Sequence, residues 1–375
     1  MSAGTSPLSK LTVNLGHYAE NLRTLRARLP ESCAMMPVVK SDGYGLGAIP
    51  IAKRAAAEGV AMLAVGSVAD GIALREAGIE LPILVLVHTR DDDLPLAVEH
   101  HLRLSISDFA TAERLGDISR KAHTVTHVHC EIDTGMGRQG FAIEQAAAEL
   151  RNLTRISHVD IEGIYTHFAT ADTPEDGFAD AQLRAFRQLI RELDDEGVPY
   201  EMVHAANSAG ALFVPTSTLD LVRPGIVTYG VWPGKIRPAD CAFRPVASWT
   251  TNIVLVRQVA GGTSISYGRT YFAPSPLRVA AIPVGYADGY SVALSNKAEV
   301  LIRGKRCPIR GRVTMNEIII DVTHVPEAQI GDKVTLIGSE AGEAIFVEEL
   351  AAKGDLVPHR ILAGIGPRVA RDYIV

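Results

Sequence analysis

The chain has 375 residues, 47% apolar and 21% charged, which suits a globular protein too long for a single compact core. A net charge of −6 without any dense basic run argues against a nucleic-acid face, and no apolar stretch approaches membrane-spanning length. Cys33, Cys130, Cys241 and Cys307 are dispersed, with no Cys-x-x-Cys pair, so neither a zinc site nor a disulfide framework is indicated. Met1 to Lys10 is small and polar, without the apolar core of a signal peptide, and a cytoplasmic enzyme is expected.

Leu11-Thr12-Val13 reads as a strand, and Leu15, Tyr18, Leu22, Leu25 and Leu29 form a helical stripe behind Asn14 as its cap. Eight short apolar runs come next: Met35–Val39, Met62–Val65, Ile83–Val87, Leu102–Ile106, Val125–Ile132, Val159–Tyr165, Tyr200–His204 and Leu219–Val222. Helical spacing separates them, opened by Ser67 and by Ser107-Asp108, and carried from Gln182 to Leu193 by Leu183, Phe186, Leu189, Ile190 and Leu193. Eight strands alternating with helices predict an α/β fold, a (β/α)8 TIM-type barrel. A doubly wound open sheet competes, but Gly43-Tyr44-Gly45-Leu46-Gly47 lacks the Gly-x-Gly-x-x-Gly spacing. Pro233 to Pro238 reads as a linker. Beyond it Ile253–Val259, Val279–Val284, Val300–Ile302, Ile318–Val322 and Val334–Ile337 are β-like, with one helix at Val347–Lys353. The expected domains are a barrel over 14–235 and a mostly β domain over 243–375, to which 1–13 adds a strand.

Active sites of such barrels lie at the carboxyl ends of the strands. The first run ends in Lys40, with Tyr44 in the glycine-rich turn after it. An ammonium there costs desolvation unless it is paired or uncharged. A Schiff base to pyridoxal phosphate (PLP) is one way to lose the charge; a lysine snorkelling to water from an ordinary barrel strand is the plainer reading. After the fifth run comes Asp133-Thr134-Gly135-Met136-Gly137-Arg138, after the sixth Thr166-His167-Phe168-Ala169, after the seventh His204-Ala205-Ala206-Asn207-Ser208, and after the eighth Arg223-Pro224-Gly225-Ile226. Singly, Arg138 suits a surface ion pair, His167 a satisfied core histidine and Ser208 a helix cap; together they suggest a site. Ser208, Gly225, Ile226 and Tyr44 can hold a phosphate, His167 can flank a flat ring, and Arg223 can face a pyridine nitrogen and leave it unprotonated.

These stretches, with Ser266-Tyr267-Gly268 and Gly285-Tyr286-Ala287-Asp288-Gly289-Tyr290, resemble the alanine racemases, fold-type III PLP enzymes, through both domains. The resemblance implies PLP-dependent exchange of the α-proton of L- and D-alanine, supplying D-alanine for peptidoglycan. It also implies a head-to-tail homodimer in which the β-rich domain completes the partner's site. Carried over by position, Lys40 holds PLP and is one base, and Tyr267 from the partner chain is the other. Tyr44, Arg138, His167, Asn207, Ser208, Arg223, Gly225 and Ile226 surround the cofactor, while Arg138 and Met315 contact substrate. A phenol is a poor base at neutral pH, so a relay through His167 and Arg223 to Tyr267 is expected. Two alternatives are a broader racemase for serine or other small amino acids, and a PLP carrier or decarboxylase on the same barrel.

Five positions depart from the family pattern. Glu131 stands where many members have a carbamylated lysine, and is expected to point inward and pair with Arg138. Pro367 falls where a phosphate-contacting tyrosine is usual, with Tyr271 or Tyr373 as substitutes. Asn316 replaces an aspartate, Thr314 a cysteine, and Val292 an arginine of the access corridor, whose other members Asp172, His204, Tyr286 and Arg312 are kept.

Overall fold

The computed structural model describes residues 7–375. Its eight parallel barrel strands are Ala34–Met35, Leu63–Val65, Ile83–Val85, Arg103–Ile106, Thr126–Asp133, Val159–Thr166, Met202–His204 and Leu221–Val222, one within each expected run or overlapping it. The first pairs with the eighth, and pairing then descends in order to the second. A bridge between Val38 and Ala64 joins the second back to the first, so the sheet closes as a barrel. The first strand is shorter than its apolar run because Pro37 has no amide hydrogen for the ladder. Caps fall where short polar side chains precede the helices. Asn14 accepts from His17 N at 2.9 Å, Ser67 from Asp70 N at 3.2 Å and Asp108 from Thr111 N at 2.8 Å.

The remaining chain is mostly β. The strand Ser9–Asn14 lies between Ala247–Asn252, antiparallel, and Ala370–Ile374, parallel, so the start of the chain is built into the sheet of its end. Trp249 is fully buried there. This part holds two helices, Val347–Gly354 and Pro358–Ala363, where the sequence suggests one. The second is six residues long and begins at a proline, too short to show a 3.6-residue period. Among the described residues no helix is long and apolar enough to cross a membrane.

Candidate active site

Lys40 leaves the first barrel strand into an unusual turn. Ser41, Asp42, Gly43 and Tyr44 have φ of 54°, 53°, 60° and 57°, a left-handed turn that costs L-residues about 1–2 kcal/mol each. Several bonds hold it. Asp42 Oδ1 accepts from Ala48 N at 2.9 Å, and Gly45 N donates to Ser41 O at 2.9 Å. Arg371, from the last strand, donates to Gly45 O from Nη2 at 2.9 Å. Only glycine fits at 45, since a Cβ there would lie 2.5 Å from Leu362 O. Burial first, then the charges of Arg138 and Arg223, push the Lys40 ammonium below its ordinary range. A neutral amine, nucleophilic and basic, is thereby favoured.

Beside it, Tyr44 lies against Tyr229 with ring centroids 4.6 Å apart, and its hydroxyl faces Gly225, where a Cβ would sit only 2.2 Å away. Ser208 opens a short helix capped by Asn207, whose Oδ1 accepts from Gly210 N at 2.9 Å. Ser208 Oγ accepts from Gly225 N at 2.8 Å and Val227 N at 3.4 Å. The phenol of Tyr44, the hydroxyl of Ser208 and the backbone of the Gly225-Ile226 turn therefore meet at one place, with no room for a side chain at 225.

Arg223 is buried at the centre. Nη1 donates to His204 Nδ1 at 2.6 Å, and Nη2 donates to Thr166 O at 2.8 Å, Ala205 O at 3.1 Å and His167 Nδ1 at 3.2 Å. Its Nε has no hydrogen-bond partner among the described residues, which leaves that N–H for something else. Burial lowers its guanidinium to about 10, still a cation at neutral pH. Burial, then Arg223, Arg138 and Lys40, lowers His167 to about 3, so its ring is neutral. Because Nδ1 accepts from Arg223, the proton of His167 is on Nε2. Arg138 is exposed and makes no hydrogen bond or ion pair among the described residues.

Tyr267 lies on the β-rich domain. Ser266 before it has φ 65° and donates Oγ–H to Arg312 O at 2.6 Å, so the turn is fixed while the ring stands 72% exposed. Met315 is 53% exposed on the same domain. The structure thus brings together Lys40, Tyr44, Arg138, His167, Asn207, Ser208, Arg223, Gly225 and Ile226, and leaves Tyr267 and Met315 turned outward.

Residues 13–233 match the family model of the alanine racemase N-terminal domain, and 246–373 that of the C-terminal domain. The chain belongs to the alanine racemase family. It is an isomerase that interconverts L- and D-alanine. It is 39% identical to the alanine racemase of Symbiobacterium thermophilum over 96% of both chains. Alanine racemase from Streptomyces lavendulae superposes with a TM-score of 0.94 at 31% identity, covering 99% of this chain and 98% of that one. The enzyme from Bartonella henselae, solved with covalently bound pyridoxal phosphate, gives 0.89 at 27% identity, covering 99% and 100%.

Glu131 is buried, as the strand alternation implies, but the expected pair with Arg138 is not made. Its carboxylate accepts from Tyr165 Oη at 2.6 Å and from the Gln139 amide. Tyr165 is the residue directly opposite Glu131 in the ladder of the fifth and sixth strands, which explains the partner. His204, assigned from sequence to the access corridor, is fully buried beneath Arg223, whereas Asp172, Tyr286 and Arg312 are exposed. Nor does either proposed substitute tyrosine reach Tyr44: Tyr271 lies 4.8 Å under the Arg310 guanidinium and Tyr373 sits over Gly47. The β-rich domain instead sets His359, from the unforeseen helix, against Tyr44 with ring centroids 5.7 Å apart. Burial and the Lys40 charge lower its imidazole, against Asp172. Its sequence surroundings carry no signal, because only the packing of that helix on the left-handed turn brings it there.

Proposed function

We propose that this chain racemises alanine with pyridoxal phosphate held at Lys40, in a cytoplasmic homodimer that supplies D-alanine for peptidoglycan. The domains are a barrel over 14–235 and a β-rich unit over 243–375 with 1–13, of which 1–6 lie outside the described residues. The observation that supports the reading is the amine of Lys40, its proton affinity lowered by burial and by Arg138 and Arg223, at the mouth of the barrel that also carries Tyr44, Ser208, Gly225 and the unpartnered Nε of Arg223. These groups suit PLP: a phosphate beside Tyr44, Ser208 and the Gly225-Ile226 turn, and a pyridine nitrogen at Nε. When bound, the cofactor supplies an electron sink for the pair left at Cα.

The chain's own residues do the rest. Lys40 Nζ is the point of attachment and the base for the Cα proton on its face. Arg223 would offer its Nε–H to the ring nitrogen, and as a cation at neutral pH it would disfavour a proton there. Arg138 brings an unpaired guanidinium for the anionic oxygens of cofactor and substrate, which a planar fork binds well. Racemisation needs a second base on the opposite face, since one side chain does not readily reach both. Tyr267 of the partner subunit fills this role, and its exposure and fixed turn support assembly in trans, with Met315 beside the substrate. Neutral His167, backed by Arg223, has its Nε2–H free to donate to that phenolic oxygen. Borohydride reduction of the holoenzyme followed by peptide mapping tests the reading. Pyridoxyl label is expected on Lys40, and label on Lys53 or Lys297 refutes it.

A further inference from the structure

The polar contacts of Arg223 continue away from the site, through the interior of the barrel. From His204, whose Nδ1 accepts from Arg223, Nε2 meets His129 Nδ1 at 2.7 Å. His129 Nε2 meets Glu162 Oε2 at 3.0 Å, and Arg103 grips both Glu162 oxygens at 3.1 Å. Both histidines have no exposed surface and Glu162 is 7% exposed. Four strands contribute, the seventh, fifth, sixth and fourth, and Arg103 stands at the amino-terminal end of its strand. Space for the row is reserved by Gly163, where a Cβ would fall 2.3 Å from His129 Nδ1. The racemisation chemistry uses none of these groups directly.

We propose that this row is a one-directional hydrogen-bond relay, with both histidines neutral and protonated on Nε2, which makes Glu162 a positioning residue for Arg223 from the far side of the barrel. The direction is dictated at the ends. Arginine is donor-only, so His204 Nδ1 accepts and its one proton lies on Nε2. That proton goes to His129 Nδ1, which leaves the proton of His129 on Nε2, donated to a carboxylate that only accepts. A proton on either Nδ1 sets donor against donor in a site closed to water. The electrostatics agree. Burial, then Arg223, holds His204 well below its ordinary range, and burial lowers His129 against the pull of Glu162. Burial raises the Glu162 carboxyl, but the bonds from His129 and Arg103 outweigh it and bring it to about 2. The row therefore runs from a fixed cation to a fixed anion, and each imidazole between is polarised in the same sense.

The effect on Arg223 rests on its proposed place at the ring nitrogen, but the relay is tested without the cofactor, so the two can fail separately. Nitrogen-15 labelling of histidine in the cofactor-free chain is expected to show His129 and His204 bare at Nδ1 and protonated at Nε2 between about pH 5 and 8. An imidazolium or an Nδ1–H at either position overturns the proposal, and this measurement needs no variant. Glu162→Gln keeps an acceptor oxygen and removes the charge. The Arg223 Nε–H resonance of that cofactor-free variant is expected to shift, although no atom of residue 162 touches Arg223; a resonance that stays put overturns the role of Glu162. In the holoenzyme the same variant is expected to lose kcat severalfold with KM for alanine unchanged. A purely structural role moves the melting temperature and leaves kcat alone, which also overturns it.

Discussion

Tyr165 donates its phenolic hydrogen to the buried carboxylate of Glu131 across 2.6 Å, and Ser105 Oγ lies 2.8 Å from the same phenolic oxygen. Tyr165 is fixed in turn by the Arg223 guanidinium above its ring, 4.9 Å from the centroid. Glu131 thus braces the floor under Arg223 and leaves Arg138 free. Glu131→Gln retains an acceptor for Tyr165, and its cofactor affinity is expected to stay within a few-fold of the parent. Glu131→Ala removes the acceptor that the Tyr165 hydroxyl and the Gln139 amide share, leaving them only Ser105 Oγ and Leu86 O, and should cost about 1–3 kcal/mol in urea unfolding. A glutamine variant that loses the cofactor outright sinks this account.

Gly225 faces the Tyr44 hydroxyl with no room between them. Gly225→Ala is expected to weaken cofactor binding at least tenfold, about 1.4 kcal/mol or more, measured by fluorescence titration of the cofactor-free protein. Tyr44→Phe removes the oxygen that the new methyl group strikes. The double variant should therefore be more stable than the two single losses sum to, as expected for residues in contact. Strict additivity rejects the steric cause.

Tyr267→Phe is expected to suppress racemisation in both directions while the cofactor's absorbance stays. If the base comes from the partner subunit, dilution should remove activity before it removes fold. Activity per chain that is constant down to the monomer excludes completion in trans. Mixing Lys40→Ala with Tyr267→Phe gives a complementary check, because a heterodimer regains one intact site and some activity should return.

His129, His167 and His204 are all held neutral in the folded chain, with burial the largest cause for each. An unfolded chain protonates such groups as the pH falls through about 6.5, whereas the folded one resists, down to about 3 for His167. The unfolded state then binds more protons, so stability falls with falling pH, by as much as about 4 kcal/mol per unit for three sites. Glu162 adds to the loss at lower pH, because its folded value of about 2 lies below that of a free carboxylate. Urea unfolding of the cofactor-free chain should show a lower midpoint at about pH 5.5 than at 7.5. His204→Asn should make the dependence shallower by about one proton. A midpoint flat across this interval contradicts the neutral assignment.

The barrel was legible because parallel strands buried on both faces read as continuous apolar runs, and eight of them stand in a row. Lys40, His167 and Arg223 were legible too, because each stands just past the carboxyl end of such a run. Direction and partnership escaped. The inward position of Glu131 can be read from its two-residue offset from Asp133, but its partner depends on register with the sixth strand, which one strand does not encode. His204 ends a strand just as a mouth-lining residue does; only its neighbours show that it turns inward. His359 reaches the site through contacts between segments some 300 residues apart, joined by the packing of Pro358–Ala363 on the turn after Lys40.

The strand Ser9–Asn14 has as neighbours two strands from the far half of the chain, one of them Ala370–Ile374, and Arg371 in that last strand clasps the carbonyl of Gly45 in the turn beside Lys40. Domains generally form from the amino terminus onward as a chain is synthesised. Here one edge of Ser9–Asn14 must wait for Ala370–Ile374, and the lysine turn for Arg371, more than 300 residues further along the chain. The barrel can gather early, but the seat of its lysine is finished only once Arg371 has emerged, so a nascent chain cut short of that residue carries no completed site.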